Sequence, residues 1–117
     1  METLKRHKES RQALIIYTRP TMHTDSKRDG MSDFLCTICN QFFIRDDKLC
    51  MIYEMKGIDL FYGIFHNYPW SCYVYNKMFN ELKQYYPNLE KGWIKFFVGS
   101  AHIYERHFKR LRKLFWE

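Results

Sequence analysis

The chain has 117 residues, with 19 lysines and arginines against 13 acidic residues, a formal net charge of +6, and a 19% share of Phe, Tyr and Trp. That length supports one domain with its own core and excludes a second, separately packed catalytic domain, while the aromatic content excludes wholesale disorder. The positive balance favours an anionic partner, and because no apolar run nears the roughly 20 residues of a bilayer span, nucleic acid is favoured over membrane.

Residues 1–30 carry Lys5, Arg6, Lys8, Arg11, Arg19, Lys27 and Arg28, with Pro20 and Gly30 as breakers. They read as a flexible basic arm holding one short strand at Ala13 to Tyr17, a run too short for the roughly 7–15 residues of a signal h-region, so an intracellular chain is expected. Met31 is a candidate internal start, and residues 31–117 are expected to form a single aromatic-rich domain. From Phe34 to Phe65, short runs such as Phe42-Phe43-Ile44 and Leu49-Cys50-Met51-Ile52-Tyr53, interrupted at Lys56-Gly57, predict a small β-meander or knuckle. His66 to Trp70 reads as a turn, with Pro69 restricting Tyr68 and Ser71 capping the next helix. Two amphipathic helices then follow, Tyr73 to Tyr86 and Leu89 to Trp116, hinged at Pro87, with Asn88 capping the second. Tyr75, Met78, Phe79, Leu82, Tyr85 and Tyr86 line the first stripe; Ile94, Phe97, Val98, Ala101, Tyr104, Phe108, Leu111 and Phe115 line the second. The expected fold class is α+β, an N-terminal meander or knuckle packed on two C-terminal helices.

Two patterns carry candidate chemistry. Cys36-Thr37-Ile38-Cys39 has the spacing with which a tight knuckle presents two thiolates to zinc, and His66 and Cys72 are the next ligand candidates, ahead of Cys50, His102 and His107. Zinc is therefore the one cofactor suggested; the plain alternative packs Cys50 and Cys72 and leaves His102 and His107 on a solvated helix face. At the carboxyl end, Arg106, Lys109, Arg110 and Lys113 can neutralise phosphates while Trp116 stacks a base or anchors a partner. The plain alternative is a charged face that keeps the protein soluble. Asp46, Asp47, Glu54 and Lys56 have a residue set used by Mg²⁺ nucleases, but a turn followed by a solvent-facing edge explains them more simply. No phosphate loop or local nucleophile triad is present, so no enzyme is expected.

Phe61-Tyr62 followed by His66, then Phe79-Asn80-Glu81-Leu82-Lys83-Gln84, Gly92-Trp93 and Phe115-Trp116, resemble the core of the small accessory nuclear phosphoprotein of bocaparvoviruses and related avian parvoviruses, over residues 60–116. The basic arm only partly echoes the Ser/Arg-rich region of that family. The resemblance implies a non-enzymatic viral regulator in the host nucleus, supporting viral DNA replication and the splicing and polyadenylation of viral pre-mRNA. Its implied partners are RNA or single-stranded DNA and host RNA-processing or import factors, with no membrane and with a homodimer open. The alternatives are a protein-binding host antagonist using the aromatics of Tyr62 to Trp70, a zinc-stabilised interaction module, and last a small Mg²⁺ nuclease.

Overall fold

The computed structural model describes residues 1–25 and 35–116, so Lys27, Arg28, Gly30, Met31, Phe34 and Glu117 lie outside the described residues. In chain order the elements are α1 (Glu2–Arg6), β1 (Ala13–Ile16), α2 (Met22–Asp25), β2 (Thr37–Arg45), β3 (Lys48–Asp59), α3 (Gly63–Lys83), β4 (Glu90–His102), a 3-10 turn (Glu105–His107) and α4 (Phe108–Phe115). The fold is mixed α+β, with a four-stranded sheet in the order β1-β2-β3-β4. β1 pairs antiparallel with β2, and β2 with β3. β4 runs parallel to β3, from Lys48 opposite Glu90 to Asp59 opposite His102. Parallel neighbours need a long crossover, which α3 supplies.

The sheet alternates as a half-buried sheet must. Phe42 and Ile44 of β2 and Met51, Tyr53 and Met55 of β3 lie in the core, with Ile94, Phe96 and Val98 of β4 packed against them. Leu14, Ile16, Glu54, Lys95 and Phe97 alternate with that set and are exposed. α3 covers the inner face with Ser71, Tyr75, Met78 and Leu82, the i, i+4, i+7, i+11 positions of one helical stripe. Its Tyr75 hydroxyl donates to Leu49 C=O at 2.7 Å and accepts Gly92 N–H at 3.0 Å, joining the helix to both parallel strands.

The β2–β3 hairpin turns on Asp46 and Asp47, whose φ values of 49° and 58° match a tight turn with two left-handed residues. Lys8 pairs with Asp47, and Asp47 C=O accepts Glu90 N–H at 2.7 Å. The simple reading of Asp46 and Asp47 as a turn therefore describes their placement; Glu54 and Lys56 are exposed, but on β3, an inner strand of the sheet and not an edge. At the amino end, α1 lays Leu4 fully into the core, Tyr86 donates its hydroxyl to Leu4 C=O at 2.7 Å, and β1 forms an edge of the sheet.

Two local expectations are corrected. Residues 90–102, read as the first half of a long helix, form a strand, and Asn88 caps no helix there. Ile94, Phe96 and Val98 satisfy period 2 as well as Ile94, Phe97, Val98 and Ala101 satisfy 3.6, and β-branched and aromatic residues favour the strand. Ser71 is not a cap: α3 begins at Gly63 and continues through Pro69, and Ser71 is buried mid-helix with its hydroxyl donating to Tyr68 C=O at 2.7 Å. Pro69 lacks the N–H that would have bonded the carbonyl of Phe65, a residue at the solvent surface, so the lost bond is open to water.

Candidate active site

Strand direction gathers one set of side chains at one end of the sheet. The carboxyl ends of β3 and β4 lie side by side, Leu60 N–H donating to His102 C=O at 2.9 Å. The start of β2 joins them, because Lys56 N–H donates to Cys36 C=O at 2.8 Å. The amino end of α3 completes the group. Crevices at the carboxyl ends of parallel strands are the usual ligand sites of such units.

Asp59 closes β3 and its Oδ1 accepts Phe61 N–H at 2.8 Å. That bond, together with Tyr62 N–H and the nearby His107 and His102, holds the Asp59 carboxyl below the usual carboxylate range against a smaller opposing effect of desolvation. A depressed folded-state value means that the contribution to order is fully present above the unfolded carboxylate value near 4 and is lost as pH falls through the folded one. On acidification the Phe61 amide should therefore keep its native chemical shift through about pH 4 and lose it only below. In Asp59→Asn, a pH-independent Phe61 amide over that range is the expected control.

On α3, Asn67 Nδ2 donates to Gly63 C=O at 2.8 Å, which uses one of its two N–H groups. At the end of β4, His102 Nδ1 lies 3.2 Å from Ser100 C=O, and its ring meets Tyr104 edge-on at 5.1 Å. His107 is buried, stacked on Phe61 at 4.4 Å and edge-on to Tyr62 at 4.9 Å. Its Nε2 accepts from Arg106 Nε at 3.1 Å. Arg106 also lies 4.5 Å over the Tyr104 ring, and Arg110 lies 5.8 Å over Phe61. Beneath the start of β2, Tyr53 and Thr37 share a hydroxyl hydrogen bond of 2.9 Å, and Asn40 Nδ2 donates to Tyr17 at 3.1 Å while its buried Oδ1 has no partner among the described residues.

The four cysteines have different settings. Cys50 is buried, and Cys72 sits in the middle of α3. Cys39 donates its thiol to Glu54 Oε2 at 3.3 Å, and burial with that carboxylate pushes the thiol up, away from thiolate formation. Cys36 is partly buried against the core just before β2, beside Lys56 in the last third of β3.

The zinc expectation is corrected by this geometry. Cys36 and Cys39 lie along the extended start of β2 rather than in a knuckle, His66 and Cys72 are on α3, and among the described residues no three His, Cys, Asp or Glu side chains come together to hold a metal. Of the residues expected to bind nucleic acid, Arg106 and Arg110 fold onto rings at the site, while Lys109, Lys113 and Trp116 stay exposed on or beside α4. Asp59, Asn67 and Tyr104 were not anticipated as site residues; the signal was the alternation His102-Ile103-Tyr104 at a strand end, hidden by the helical reading.

The thymidylate synthase family model matches residues 1–116. The chain belongs to the thymidylate synthase family. It is 40% identical over 107 residues to the deoxycytidylate 5-hydroxymethyltransferase of Enterobacteria phage T6, covering 90% of this chain and 44% of that protein. The corresponding protein of Enterobacteria phage T4 is 40% identical over 111 residues, with the same coverage. A thermostable thymidylate synthase A from Bacillus subtilis superposes with a TM-score of 0.67 at 23% identity, over 99% of this chain and 38% of that one, a likeness of fold. The chain thus spans less than half the length of the curated relatives it matches. Family membership overturns the resemblance to parvoviral accessory proteins, and with it the non-enzymatic regulator and its RNA-processing partners: the shared peptides were short, whereas the family match runs the length of the chain. The family is one of nucleotide-metabolising enzymes.

Proposed function

We propose that this chain forms the pyrimidine-nucleotide side of a one-carbon transferase that substitutes C5 of a deoxycytidylate base. The observation that carries this reading is the convergence of Cys36, Asp59, Asn67, His102 and Tyr104 at the carboxyl end of the parallel pair, in a chain of this family. Deoxycytidylate is favoured over deoxyuridylate because the 40% identical relatives are named for it. The amide oxygen of Asn67 is also an acceptor suited to the exocyclic amine of cytosine.

C5 of a pyrimidine is a poor nucleophile until another group adds at C6, and a thiolate is the side chain best fitted to that addition. Cys36 takes this role in the proposal. Its sulfur bonds to C6, the electron pair moves to C5, C5 attacks the one-carbon electrophile, and loss of the C5 proton expels the thiolate. His102 and Tyr104 offer polar groups to the sugar, and the stacked Arg106 offers charge to the phosphate. The one-carbon unit would come from a reduced folate, the family's donor, and the rings of Phe61, Tyr62 and Tyr104 give this end an aromatic wall suited to a flat pterin.

Titration of the chain with deoxycytidylate should shift the amides of Asp59, Asn67 and His102, and His102→Ala should weaken binding about tenfold, the effect of one hydrogen bond of roughly 1.4 kcal/mol. Leu14→Ala on the outer sheet face should leave binding unchanged. Failure of both deoxycytidylate and deoxyuridylate to perturb those amides would overturn the reading.

A further inference from the structure

The start of β2 is irregular, and the irregularity decides which side chains face the core. Thr37 lies opposite Met55 and Cys39 opposite Glu54, so β2 takes two steps where β3 takes one, and Ile38 is the extra residue. An unbroken register would set Ile38 against Met55, on the core side. Instead Ile38 lies on the outer face beside Glu54 and Phe97, and Thr37, opposite the buried Met55, turns inward. The bulge thus exchanges an isoleucine for a threonine at the margin of the core, where a hydroxyl needs a partner.

That partner is Tyr53. Its side chain is fully buried, and its hydroxyl lies 2.9 Å from Thr37 Oγ1. Asn40, also fully buried and directly opposite Tyr53 in the register, donates from Nδ2 to the Tyr17 hydroxyl at 3.1 Å. Tyr17 in turn donates its backbone N–H to Ile38 C=O at 3.0 Å. On the other side, Lys56 N–H holds Cys36 C=O at 2.8 Å. Three consecutive residues are therefore pinned at three points: the Cys36 carbonyl, the Thr37 side chain and the Ile38 carbonyl. Burial pushes the Tyr53 phenol up against the opposing hydrogen bond with Thr37, and Tyr17 and Cys36 close by add to the rise, so the hydroxyl keeps its proton and stays able to donate. Further along, the inner face of these strands carries Phe42, Ile44 and Met51. Thr37, Asn40 and Tyr53 instead take hydroxyl and amide groups out of water at the end nearest Cys36, where apolar side chains would pack without that cost.

We infer that Tyr53 is a positioning residue for Cys36: through Thr37 it locks the bulge, and the locked bulge holds the Cys36 thiol in one orientation toward the pyrimidine. The inference rests on the nucleophilic role proposed for Cys36. Tyr53 itself touches no reacting atom. Removing its hydroxyl leaves the ring in place and releases the Thr37 side chain, so the effect falls on the geometry of Cys36 rather than on the fold. A thiol spread over several staggered rotamers spends only part of its time in line with C6.

The test reads the Cys36 side chain from the three-bond couplings between its α and β protons, in the isotopically labelled chain without nucleotide. A single χ1 rotamer is expected in the native chain, and rotamer-averaged couplings in Tyr53→Phe and in Thr37→Val. Thr37 is only partly buried, so Thr37→Val spares the core even if Tyr53→Phe disturbs it. Thr37→Ser, which keeps the hydroxyl, should keep the single rotamer, an outcome that general loosening of the core would not give. In the completed enzyme, Tyr53→Phe and Thr37→Val should each slow exchange of tritium from C5 of deoxycytidylate about tenfold, with KM within about twofold of native. The inference is overturned if Cys36 is already averaged in the native chain, if it keeps one rotamer in both variants, or if Thr37→Ser averages it as Thr37→Val does. Because the couplings are read without substrate, they stand apart from tritium exchange in Cys36→Ser, which tests the nucleophile itself.

Discussion

Replacing Cys36 with serine should reduce C5 substitution by at least about 10³-fold in the completed enzyme, while deoxycytidylate binding changes less than threefold. The reason is chemical rather than steric. Serine keeps the size and the backbone bond to Lys56, but its hydroxyl is far too weakly acidic to add to C6 near neutral pH. Cys39→Ser is the control: its thiol is engaged by Glu54 and held away from ionisation, so activity should be retained. Exchange of tritium from C5 of labelled deoxycytidylate measures the addition step separately from one-carbon transfer. If Cys36→Ser exchanged tritium at the native rate, Cys36 would not be the nucleophile.

Gly92→Ala should destabilise the fold by about 3 kcal/mol, the upper end for overpacking, because the clash is with main chain. A Cβ at Gly92 would lie 2.5 Å from Leu49 C=O and 2.7 Å from Cys50 Sγ. The position is where the parallel register shifts, two steps on β3 from Leu49 to Met51 matching three on β4 from Lys91 to Ile94. The extra β4 residue brings its backbone tight against β3, and Gly92 N–H reaches the Tyr75 hydroxyl only at that distance. A methyl group would push β4 outward and break that bond as well. Gly63→Ala should cost much less, since its nearest contact, Asp59 Cβ at 3.3 Å, needs a shift of only a few tenths of an ångström and alanine favours the helix that opens there. Urea denaturation of the two variants beside the native chain checks the contrast, and equal midpoints for Gly92→Ala and the native chain would refute it.

Much of α3 was legible in the sequence because Tyr75, Met78 and Leu82 recur at helical spacing with polar residues between them. Its beginning was not, because Pro69 and the aromatic run before it mimic a turn. β4 defeated the periodicity argument at its weakest point: Ile94, Phe97, Val98 and Ala101 fit one period while Ile94, Phe96 and Val98 fit the other. Parallel strands flanked by a crossover leave no hairpin signal, so the strand had nothing local to announce it. The site was harder still. Cys36, Asp59, Asn67 and His102 come from the approaches to four different elements, and only the topology brings them together. Local spacing instead drew Cys36 toward Cys39, a pair that no third His, Cys, Asp or Glu joins among the described residues, and drew the cluster of basic residues near α4 toward nucleic acid.

The parallel pairing of β3 with β4 also orders events in time. The β2–β3 hairpin closes through a tight turn and can form within microseconds, whereas β4 must wait for the thirty residues between Asp59 and Glu90 to wind and fold back. Until it arrives, the flank of β3 is a bare template of unpaired amides and carbonyls, open to any other extended chain. Refolding at high concentration should therefore lose material to aggregation at this stage, and the yield should rise steeply on dilution.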